Sequence, residues 1–471
     1  MASRRLIFDV STLVRAAEET GGIIRVVREL AVWTCCNRDD VVFVTYNWET
    51  RLFHVVDPAW AKLVFTMSVK FDTSELPDRW RTKPKLRDRL PLRLRRWALW
   101  TQHPRRRAIL ALEGRRLKAE SPAAAEKIER LQAKLLSHRY RDELFDRFGR
   151  RRALVPYYTV VGPAHAFRQD DILVLTGAEW GQLDPALYRS LKVQHGIRIA
   201  VFCHDILPAL YPDFFQPPLT AAFIAYIRVV LPLADLVMFH ARTNEQDVRR
   251  YCESEGLVLS KTSIVPMGAD FARTLPQRQG PLPDGLEPQR YALFVSTIEP
   301  RKQHRLLFSV WKRLLAEGVP QASRFKLVFV GRRGWLVDDL LAEIDEHPSA
   351  GDSLLLFSNV PDETLAELYT QCAFCLFPSL YEGYGLPIIE AFGYGKAVLA
   401  STGGAVPEVV GGLSPCLDPR DEDSWYMALK LWIEQPEQPR HYEELIRDHF
   451  RPTTWNDAAR AFFETIDKEL P

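Results

Sequence analysis

Two glutamates mark the stretch of the chain whose residue types could do chemistry. Glu382 and Glu390 stand eight positions apart in "FPSLYEGYGLPIIEAFGYGKAVLAS", residues 377–401, with a glycine-rich loop between them. Two carboxylates around one loop can act as an acid and a base, and glycines beside a helix start can hold a phosphate. The third alternative is a strand–turn–helix junction that binds nothing.

The loop between the glutamates has the composition of a phosphate-binding turn. Gly383 and Gly385 allow the backbone to turn tightly and to approach a ligand. Pro387 suits the first turn of a helix, and the free N–H groups of a helix start bind anions such as a diphosphate. We expect Glu390 in the first helical turn, where it can accept two hydrogen bonds from a ribose diol. Glu382 precedes the loop and can contact a different polyhydroxylated group.

Two adjacent cations supply a second part of the predicted site. In "FVSTIEPRKQHRLL", Arg301 and Lys302 follow a predicted strand and lead into a helix. Cations in this place can clamp a diphosphate, although the same pair could also be a solvated helix start. Taken with the glutamate loop, their order along the chain favours a nucleotide diphosphate as the ligand.

Strands and helices alternate around these motifs. The opening of the chain, "RRLIFDVSTLV" to "DDVVFVTYN", has the pattern strand, glycine turn, helix, strand, and a second series of apolar strands begins at "YALFVST". This pattern predicts an α/β fold with two doubly wound, Rossmann-like domains that face a cleft. We place the domains at residues 1–274 and 291–445, a Pro- and Gly-rich linker at 275–290, and a final helix at 446–471.

A basic helical insertion interrupts the first domain at about residues 70–156. Between Arg79 and Lys118 the chain has fifteen Lys or Arg and two acids, within a protein of net charge +2. Leucines and a tryptophan at helical spacing among the arginines are typical of an interfacial helix. We therefore expect residues 78–118 to contact an anionic membrane surface, the alternative being a helical hairpin packed on the first domain. No base-reading motif accompanies the charge, so we predict no nucleic-acid partner.

The bulk composition is that of a soluble globular protein, with 47% hydrophobic and 26% charged residues. The absence of a spanning apolar run and of a signal peptide predicts a cytoplasmic protein, peripheral at most on the inner face of the plasma membrane. Seven scattered cysteines indicate reduced thiols. We expect Cys372 and Cys375 to belong to a buried strand, and the Asp421–Asp423 triplet to be a surface turn. Accordingly, we predict no metal site.

Three motifs together resemble the donor domain of the retaining glycosyltransferases of family four, which have the two-domain GT-B fold. They are "STIEPRK", "SNVPDETLAELYTQC" and "PSLYEGYGLPIIEAFGYGKAVLASTGGAVPEVVG". The resemblance covers roughly residues 291–419 and includes the family's Glu–x7–Glu pair. It implies that Glu390 binds the donor ribose, that Glu382 contacts the donor sugar, and that Lys302 neutralises the diphosphate.

The resemblance also implies roles for neighbouring residues. Backbone groups around four positions of the loop would serve the phosphates and the sugar, namely Gly383, Tyr384, Gly385 and Leu386. Val360 matches a segment that lies against the base. Many members have Gly-Arg where this chain has Ser296-Thr297, so Arg301 would replace the usual arginine. The "TIEPRK" version resembles the mannosyltransferase-like branch that builds bacterial O-antigen and exopolysaccharide, and the final helix of this fold commonly crosses back to the first domain.

Two features of the first domain face the predicted cleft. Gly21 and Gly22 open a helix after the first strand; this can be a plain turn, but the resemblance implies that it borders the donor phosphates, with Arg25 close enough to join. His204 and Asp205 end a strand in "AVFCHDILPALYPDFF". A histidine there can hydrogen-bond the donor sugar or its developing charge, with the adjacent acid orienting the imidazole. The pair also matches the "HD" of the same family branch.

The resulting prediction is a retaining, metal-independent glycosyltransferase that needs no cofactor besides its nucleotide sugar. We expect mannose from GDP-mannose as the donor, and a lipid-linked or growing bacterial surface polysaccharide as the acceptor. The residues assigned to catalysis are His204, Arg301, Lys302 and Glu382. On this hypothesis the two glutamates hold hydroxyls and are not the acid and base of a glycosidase. The alternatives are a family-four transferase that uses GDP-fucose or a UDP- or dTDP-sugar, and a catalytically silent sugar- or nucleotide-binding scaffold of a polysaccharide assembly complex.

Overall fold

A computed structural model of the chain describes residues 4–15, 22–47, 52–56, 61, 70–72, 154–156, 161–181, 185–269, 281–358 and 360–471. The chain packs as two compact units, Met1–Ala200 and Val201–Pro471. Three parts of the predicted site and organisation lie outside the described residues: Gly21, residues 78–118 and residues 275–280 of the predicted linker. The predicted domain boundaries and the predicted membrane contact therefore stay predictions.

The first unit contains a mixed sheet, in which β3 pairs antiparallel with β2 and β6. Its strand order is β7-β1-β2-β3-β6, and β1 pairs in parallel with both β2 and β7. The strands are β1 (Leu6–Asp9), β2 (Val41–Asn47), β3 (Leu52–Val56), β6 (Val161–Ala164) and β7 (Ile172–Leu175). Every residue of β1 and β7 is buried, as expected of parallel strands that are covered on both faces. The helices are α1 (Ser11–Arg15), α2 (Gly22–Asn37) and α3 (Ala186–His195).

A separate two-stranded sheet lies at the two ends of the predicted insertion. Strands β4 (Lys70–Asp72) and β5 (Leu154–Pro156) pair in parallel. The chain therefore returns, after more than eighty residues, to the strand from which the predicted insertion departs.

Three strands open the second unit, in the order β10-β9-β8. They are β8 (Arg198–Phe202), which crosses the boundary between the units, β9 (Leu236–Phe239) and β10 (Lys261–Ile264). The helices between and beside them are α4 (Leu207–Leu210), α5 (Pro217–Leu233) and α6 (Arg242–Ser254). Strand β9 is apolar and fully buried, and it pairs in parallel with β10.

The rest of the second unit is built on a six-stranded parallel sheet with the order β13-β12-β11-β14-β15-β16. The strands are β11 (Tyr291–Val295), β12 (Lys326–Val330), β13 (Leu354–Phe357), β14 (Phe374–Phe377), β15 (Val398–Ser401) and β16 (Cys416–Leu417). The helices are α7 (His304–Ala316), α8 (Val319–Ser323), α9 (Asp338–Glu346), α10 (Asp362–Gln371), α11 (Leu386–Gly393), α12 (Val406–Val410), α13 (Glu422–Glu434), α14 (Glu437–His449) and α15 (Trp455–Glu469). The predicted α/β fold with parallel, Rossmann-like sheets is confirmed.

The strand order determines where a ligand can bind. After β11 the chain builds β12 and β13 on one side, and it then crosses to build β14, β15 and β16 on the other side. The order thus reverses between β11 and β14, and crevices at the carboxyl ends of parallel strands open at such switch points. Both predicted motifs follow these two strands, so the topology brings them to one place.

The final helix α15 packs on the part of the unit that contains β8 to β10. Its Phe462 ring lies 5.5 Å, centroid to centroid, from Phe202 of β8. Ala269 N donates a hydrogen bond to the Thr453 carbonyl at 2.8 Å. A Cβ added to Gly268 would lie 2.3 Å from the Trp455 ring, so this glycine is required for the close approach.

Two smaller predictions have outcomes here. Cys372 and Cys375 are buried free thiols with their Sγ atoms 3.7 Å apart, but only Cys375 lies in a strand. Cys372 instead ends α10, because its N–H still bonds the Leu368 carbonyl. Asp421 caps α13 by accepting a hydrogen bond from Ser424 N. The predicted turn is therefore correct for Asp421 alone, because Glu422 and Asp423 are the first two residues of α13. Among the described residues, no three His, Cys, Asp or Glu side chains are grouped so as to hold a metal ion, and no helix has the length and apolarity needed to cross a bilayer.

Candidate active site

The carboxyl ends of β11 and β14 carry the candidate site. A 3₁₀ turn, Pro300–Lys302, follows β11, and the glutamate loop follows β14. Leu380 N donates to the Arg301 carbonyl at 2.8 Å, which ties the two segments together. The Glu382 carbonyl accepts from Ala405 N at 2.9 Å, so the segment after β15 holds the loop from its other side.

Glu382 lies between two cations. Lys302 Nζ is 2.5 Å from Oε1 of Glu382, and Arg301 Nη1 is 2.8 Å from Oε2. The guanidinium also pairs with Glu299 through Nε at 2.8 Å and donates to the Tyr381 carbonyl at 3.1 Å. Glu382 is only 6% exposed, so these are buried charge-assisted contacts of the strong kind.

The pKa values of Glu382 and Lys302 are both lowered, but for different reasons. Burial alone would raise the pKa of Glu382, but the charges of Arg301 and Lys302 lower it to about 2. Burial and the neighbouring Arg301 charge lower the pKa of Lys302, even though Glu382 opposes the change. The carboxylate faces two cations, whereas the lysine faces one cation and one close anion. Glu382 is therefore a fixed anion, and Lys302 is a cation that a further anion would stabilise.

The glycine loop leads directly into α11. Gly385 caps the helix with φ of +108°, a left-handed conformation that favours glycine. A Cβ on Gly383 would lie 2.7 Å from the His204 carbonyl oxygen and 2.9 Å from Cβ of Asp205, so this position also requires glycine. The predicted helix start after the loop is confirmed. Glu390, however, is the fifth residue of α11, counted from Leu386, and lies in its second turn.

Glu390 has a different environment from Glu382. The hydroxyl of Tyr369 donates to Oε2 of Glu390 at 3.0 Å, and the Tyr369 ring stacks on Tyr394 with centroids 5.2 Å apart. Glu390 is half-buried. Val360, after β13, is half-buried against the core of the six-stranded sheet.

His204 follows β8 and lies beside the glutamate loop. Its ring centroid is 4.9 Å from Phe202 and 5.9 Å from His240, and its carbonyl accepts a hydrogen bond from Asn244 Nδ2 at 2.6 Å. The His240 ring in turn meets Tyr384 of the loop at 5.0 Å. The sequence-predicted histidine and the loop are thus brought together.

Asp205, predicted to orient the His204 imidazole, has a different observed partner. Its Oδ1 accepts a hydrogen bond from Leu207 N at 3.0 Å, at the start of α4. Burial raises the pKa of Asp205, while the Leu207 N–H and the Arg301 charge act in the opposite direction. Asp205 therefore belongs to the same electrostatic cluster as Arg301, Lys302 and Glu382.

The glycine turn before α2 belongs to the first unit. Gly22 begins α2 and Arg25 lies in its first turn, half-buried, whereas Gly21 lies outside the described residues. The predicted contact of these three residues with the donor phosphates stays a prediction.

Sequence reasoning did not predict three residues of the site. Glu299 holds Arg301 and stands inside the quoted "TIEPRK" motif, so a third charge beside the two cations was the available signal. His240 follows the apolar strand β9 in the same way that His204 follows β8. Tyr369 comes from the end of α10, and its contact with Glu390 has no signal in the local sequence.

The comparisons with known proteins agree with this geometry. Residues 284–449 match the family model of the group 1 glycosyl transferases. The serotype-specific mannosyltransferase WbdA of Escherichia coli is 26% identical over 329 residues, which cover 65% of this chain and 37% of WbdA. The O-antigen chain mannosyltransferase B of Escherichia coli is 39% identical over 136 residues, which cover 29% of this chain and 35% of that protein. The match thus spans little more than a third of the length of each of these relatives.

A solved structure extends the likeness to the whole fold. The crystal structure of Anabaena HepE in complex with UDP and glucose superposes with a TM-score of 0.55 at 13% identity, covering 99% of this chain and 100% of that chain. At this identity the likeness concerns the fold alone, and it agrees with the predicted GT-B class. The predicted resemblance to the family-four glycosyltransferases is confirmed, and the chain carries a group 1 glycosyltransferase domain at residues 284–449.

Proposed function

We propose that the chain is a retaining glycosyltransferase that moves mannose from GDP-mannose onto a lipid-linked or growing bacterial surface polysaccharide. The observation that carries the proposal is the convergence of Arg301, Lys302 and Glu382 beside a glycine loop that opens a helix. The mannosyltransferase and O-antigen names of the similar Escherichia coli proteins support mannose as the sugar and a surface polysaccharide as the product.

The cationic side chains keep hydrogen-bond donors for a diphosphate. Within the part of the chain that the structure describes, the contacts of Arg301 use Nε and Nη1, and Lys302 uses one of its three N–H groups. Nη2 of Arg301 and two ammonium hydrogens of Lys302 therefore serve phosphate oxygens, together with the N–H groups at the start of α11. Two added phosphate charges would also stabilise the charged form of Lys302, whose pKa burial lowers.

The two glutamates divide the rest of the donor between them. Glu390, held by the Tyr369 hydroxyl, accepts hydrogen bonds from the ribose diol. Glu382, at the other end of the loop, accepts from hydroxyls of the transferred sugar. The order of groups in the donor matches this division. The phosphates lie between the ribose and the sugar, as the glycine loop lies between the two glutamates.

The proposed reaction breaks the bond between the sugar C1 and the phosphate oxygen, and it forms a bond from C1 to an acceptor hydroxyl oxygen on the same face. The departing phosphate oxygen takes the acceptor's proton. Arg301, Lys302 and the helix start stabilise the charge that develops on the leaving group, and fixed donors of this kind contribute about 3 kcal/mol each. His204 lies at the sugar end, where it hydrogen-bonds the donor sugar.

A donor panel tests the proposal. The full chain is incubated with GDP-mannose, GDP-fucose, and UDP- and dTDP-sugars, with and without polyprenyl-linked glycans, and released nucleoside diphosphate is measured. Turnover with GDP-mannose, unchanged by EDTA, supports the proposal. Turnover only with another donor replaces the sugar, EDTA-sensitive turnover overturns metal independence, and no turnover with any donor favours a silent scaffold.

A peripheral membrane contact is the second part of the proposal, and it rests on the basic composition of residues 78–118. A neutral and an anionic vesicle preparation are compared in a sedimentation assay. Binding to the anionic vesicles alone, lost on deletion of residues 78–118, supports the contact. Equal binding to both preparations rejects it.

A further inference from the structure

Aromatic side chains beside the candidate active site form a surface that the proposed donor contacts do not use. The aromatic surface consists of Tyr211, Phe214, Phe215 and Trp335, all of them half-buried. The ring centroids of Tyr211 and Phe214 are 5.7 Å apart, and those of Phe215 and Trp335 are 6.1 Å apart. Trp335 Nε1 donates to the Phe214 carbonyl at 2.7 Å, which fixes the loop after β12 against the turn after α4.

The aromatic surface is continuous with the charged cluster. The Tyr211 ring lies 5.1 Å, centroid to centroid, from Tyr381, the residue directly before Glu382. Arg301 holds the backbone of this residue by donating to the Tyr381 carbonyl at 3.1 Å. The surface therefore begins where the proposed function puts the transferred sugar, and it runs outward to Trp335.

Tyr381 presents a buried polar group at this junction. Its side chain is 9% exposed, and its hydroxyl has no hydrogen-bond partner among the described residues. A buried hydroxyl without a partner is unfavourable, so such groups call for an explanation. Because the oxygen itself is closed to solvent, a ligand hydroxyl supplies the partner only when the neighbouring side chains move.

The outer end of the aromatic surface is strained. Leu336 follows Trp335 with φ of +56°, a left-handed conformation that is unfavourable for a leucine. Its side chain is nevertheless 63% exposed, so burial of this side chain does not compensate for the strain. Backbone strain of this kind is unfavourable and is concentrated at ligand sites.

We propose that the aromatic surface, with Tyr381 and Leu336 at its two ends, is the acceptor subsite and binds the terminal pyranose rings of a saccharide. This inference rests on the proposed function, because Glu382 marks the position of the donor sugar. The C–H faces of a pyranose pack on aromatic rings, and its hydroxyls require polar partners at the ring edges. Asp213 and Gln216 are exposed on the segment that follows Tyr211, and they supply these partners in addition to the Tyr381 hydroxyl. The Asp213 carboxylate would repel a lipid phosphate, which favours a saccharide as the occupant.

Tyr381→Phe is the sharpest test, because it removes only an oxygen without a partner in the protein. Initial rates are measured against a panel of methyl mannosides, α-linked mannobiose and mannotriose, rhamnosides and glucosides, with the donor saturating. We expect the KM for the acceptor to rise about fivefold, the equivalent of one hydrogen bond. The donor KM and the rate of donor hydrolysis without acceptor stay unchanged, and the midpoint of urea unfolding stays equal or rises.

Two further variants test the rings and the strained end. Phe215→Ala raises the acceptor KM about tenfold, as expected for the loss of a central aromatic contact. Leu336→Gly raises it about threefold without loss of stability, because glycine adopts the left-handed conformation freely. Val258→Ala is the matched control, since Val258 is 74% exposed and precedes β10 at the opposite, amino end of the strands.

The outcomes separate this inference from the proposed function. A wild-type chain that neither hydrolyses nor transfers any donor overturns the proposed function. A wild-type chain that turns over the donor, with variants that keep the acceptor KM, overturns the subsite alone. The subsite is also overturned if the wild type hydrolyses the donor but neither glycosylates nor binds any saccharide of the panel in a saturation-transfer experiment. A rise in the donor KM instead of the acceptor KM assigns the surface to holding the donor loop.

Discussion

The two ends of the glutamate loop hold the same residue type in opposite environments. Glu382 is buried between Lys302 and Arg301, and its partners are charged. Glu390, eight residues later, is half-buried, and its partner is the hydroxyl of Tyr369. One carboxylate is therefore part of an ion cluster, and the other is a hydrogen-bond acceptor held in place by a phenol. We call Glu382 with its two cations the charged end of the loop, and Glu390 with Tyr369 the hydroxyl end.

This difference teaches that spacing alone does not assign roles to a pair of glutamates. In an acid–base pair, one carboxyl has a pKa raised enough to keep its proton. The cations lower the pKa of Glu382 to about 2, so this residue is not a proton donor near neutral pH. On the proposed function, the loop binds a sugar nucleotide, and Glu382 with its two cations lies at the reacting bond.

The largest effect is expected at the charged end. Glu382→Ala should lower kcat about 10²- to 10³-fold, because the transferred sugar loses its acceptor and the two cations lose their fixed geometry. The donor Kd, measured by calorimetry with GDP-mannose, should change less than kcat. Glu382→Gln is the matched control, since it retains the size and one carbonyl oxygen. An alanine variant with unchanged turnover would contradict the division of roles between the two glutamates.

The charged end also predicts how stability depends on pH. The pKa of Glu382 is about 2 in the folded protein and about 4.5 in its ordinary state. A carboxyl with a lowered pKa stabilises the fold above pH 4.5 and loses that contribution as the pH falls toward 2, on the order of 3 kcal/mol in total. The difference in unfolding free energy between wild type and Glu382→Gln, from urea titrations at pH 6 and pH 3, should therefore shrink at the lower pH. A difference that is the same at both values would show that the cations do not stabilise Glu382.

Much of the charged end was predictable because it follows from chain order. Arg301 and Lys302 come after one strand and Glu382 after another, and carboxyl ends of neighbouring parallel strands meet at one edge. The sequence could not show that β11 and β14 are the neighbours, since five strands share the same apolar pattern. The resemblance to a known family supplied that step, and the strand order supports it.

The hydroxyl end was less predictable. Tyr369 stands 21 residues before Glu390 on another helix, and a tyrosine at the end of an amphipathic helix is usually part of the core. Glu390 was expected in the first turn of α11 and lies in the second, because Gly385 caps the helix and Leu386 opens it. The meeting of Tyr211 with Tyr381 depends on packing between distant segments, which leaves no local pattern.

A substitution at the hydroxyl end should weaken donor binding and leave turnover unchanged. Glu390→Ala removes the proposed acceptor of the ribose diol, so the donor Kd should rise about tenfold, the equivalent of about 1.4 kcal/mol. The kcat at saturating donor should stay within about twofold, because uniform binding lost from the ground and transition states leaves it unchanged. Comparing GDP-mannose with its 2′-deoxyribose analogue sharpens the assignment. The analogue should show a smaller difference in Kd between wild type and Glu390→Ala than GDP-mannose does, because it lacks one of the two hydroxyls. A retained preference for ribose in the variant would place the diol elsewhere.

The smallest effect is expected at Tyr369, and it distinguishes Glu390, which binds the donor on the proposed function, from Tyr369, which positions Glu390. Tyr369→Phe removes the hydroxyl that donates to Glu390 and leaves the ring stacked on Tyr394. The carboxylate then gains rotamer freedom without losing its charge, so the donor Kd should rise only about two- to fourfold, in line with one hydrogen bond to a charged group that water partly replaces. In the Glu390→Ala background the same substitution should have no further effect on the Kd, since its only route to the donor is through Glu390. Additive losses in the double variant would mean that Tyr369 contacts the donor itself, and the hydroxyl end would then have two binding residues instead of one.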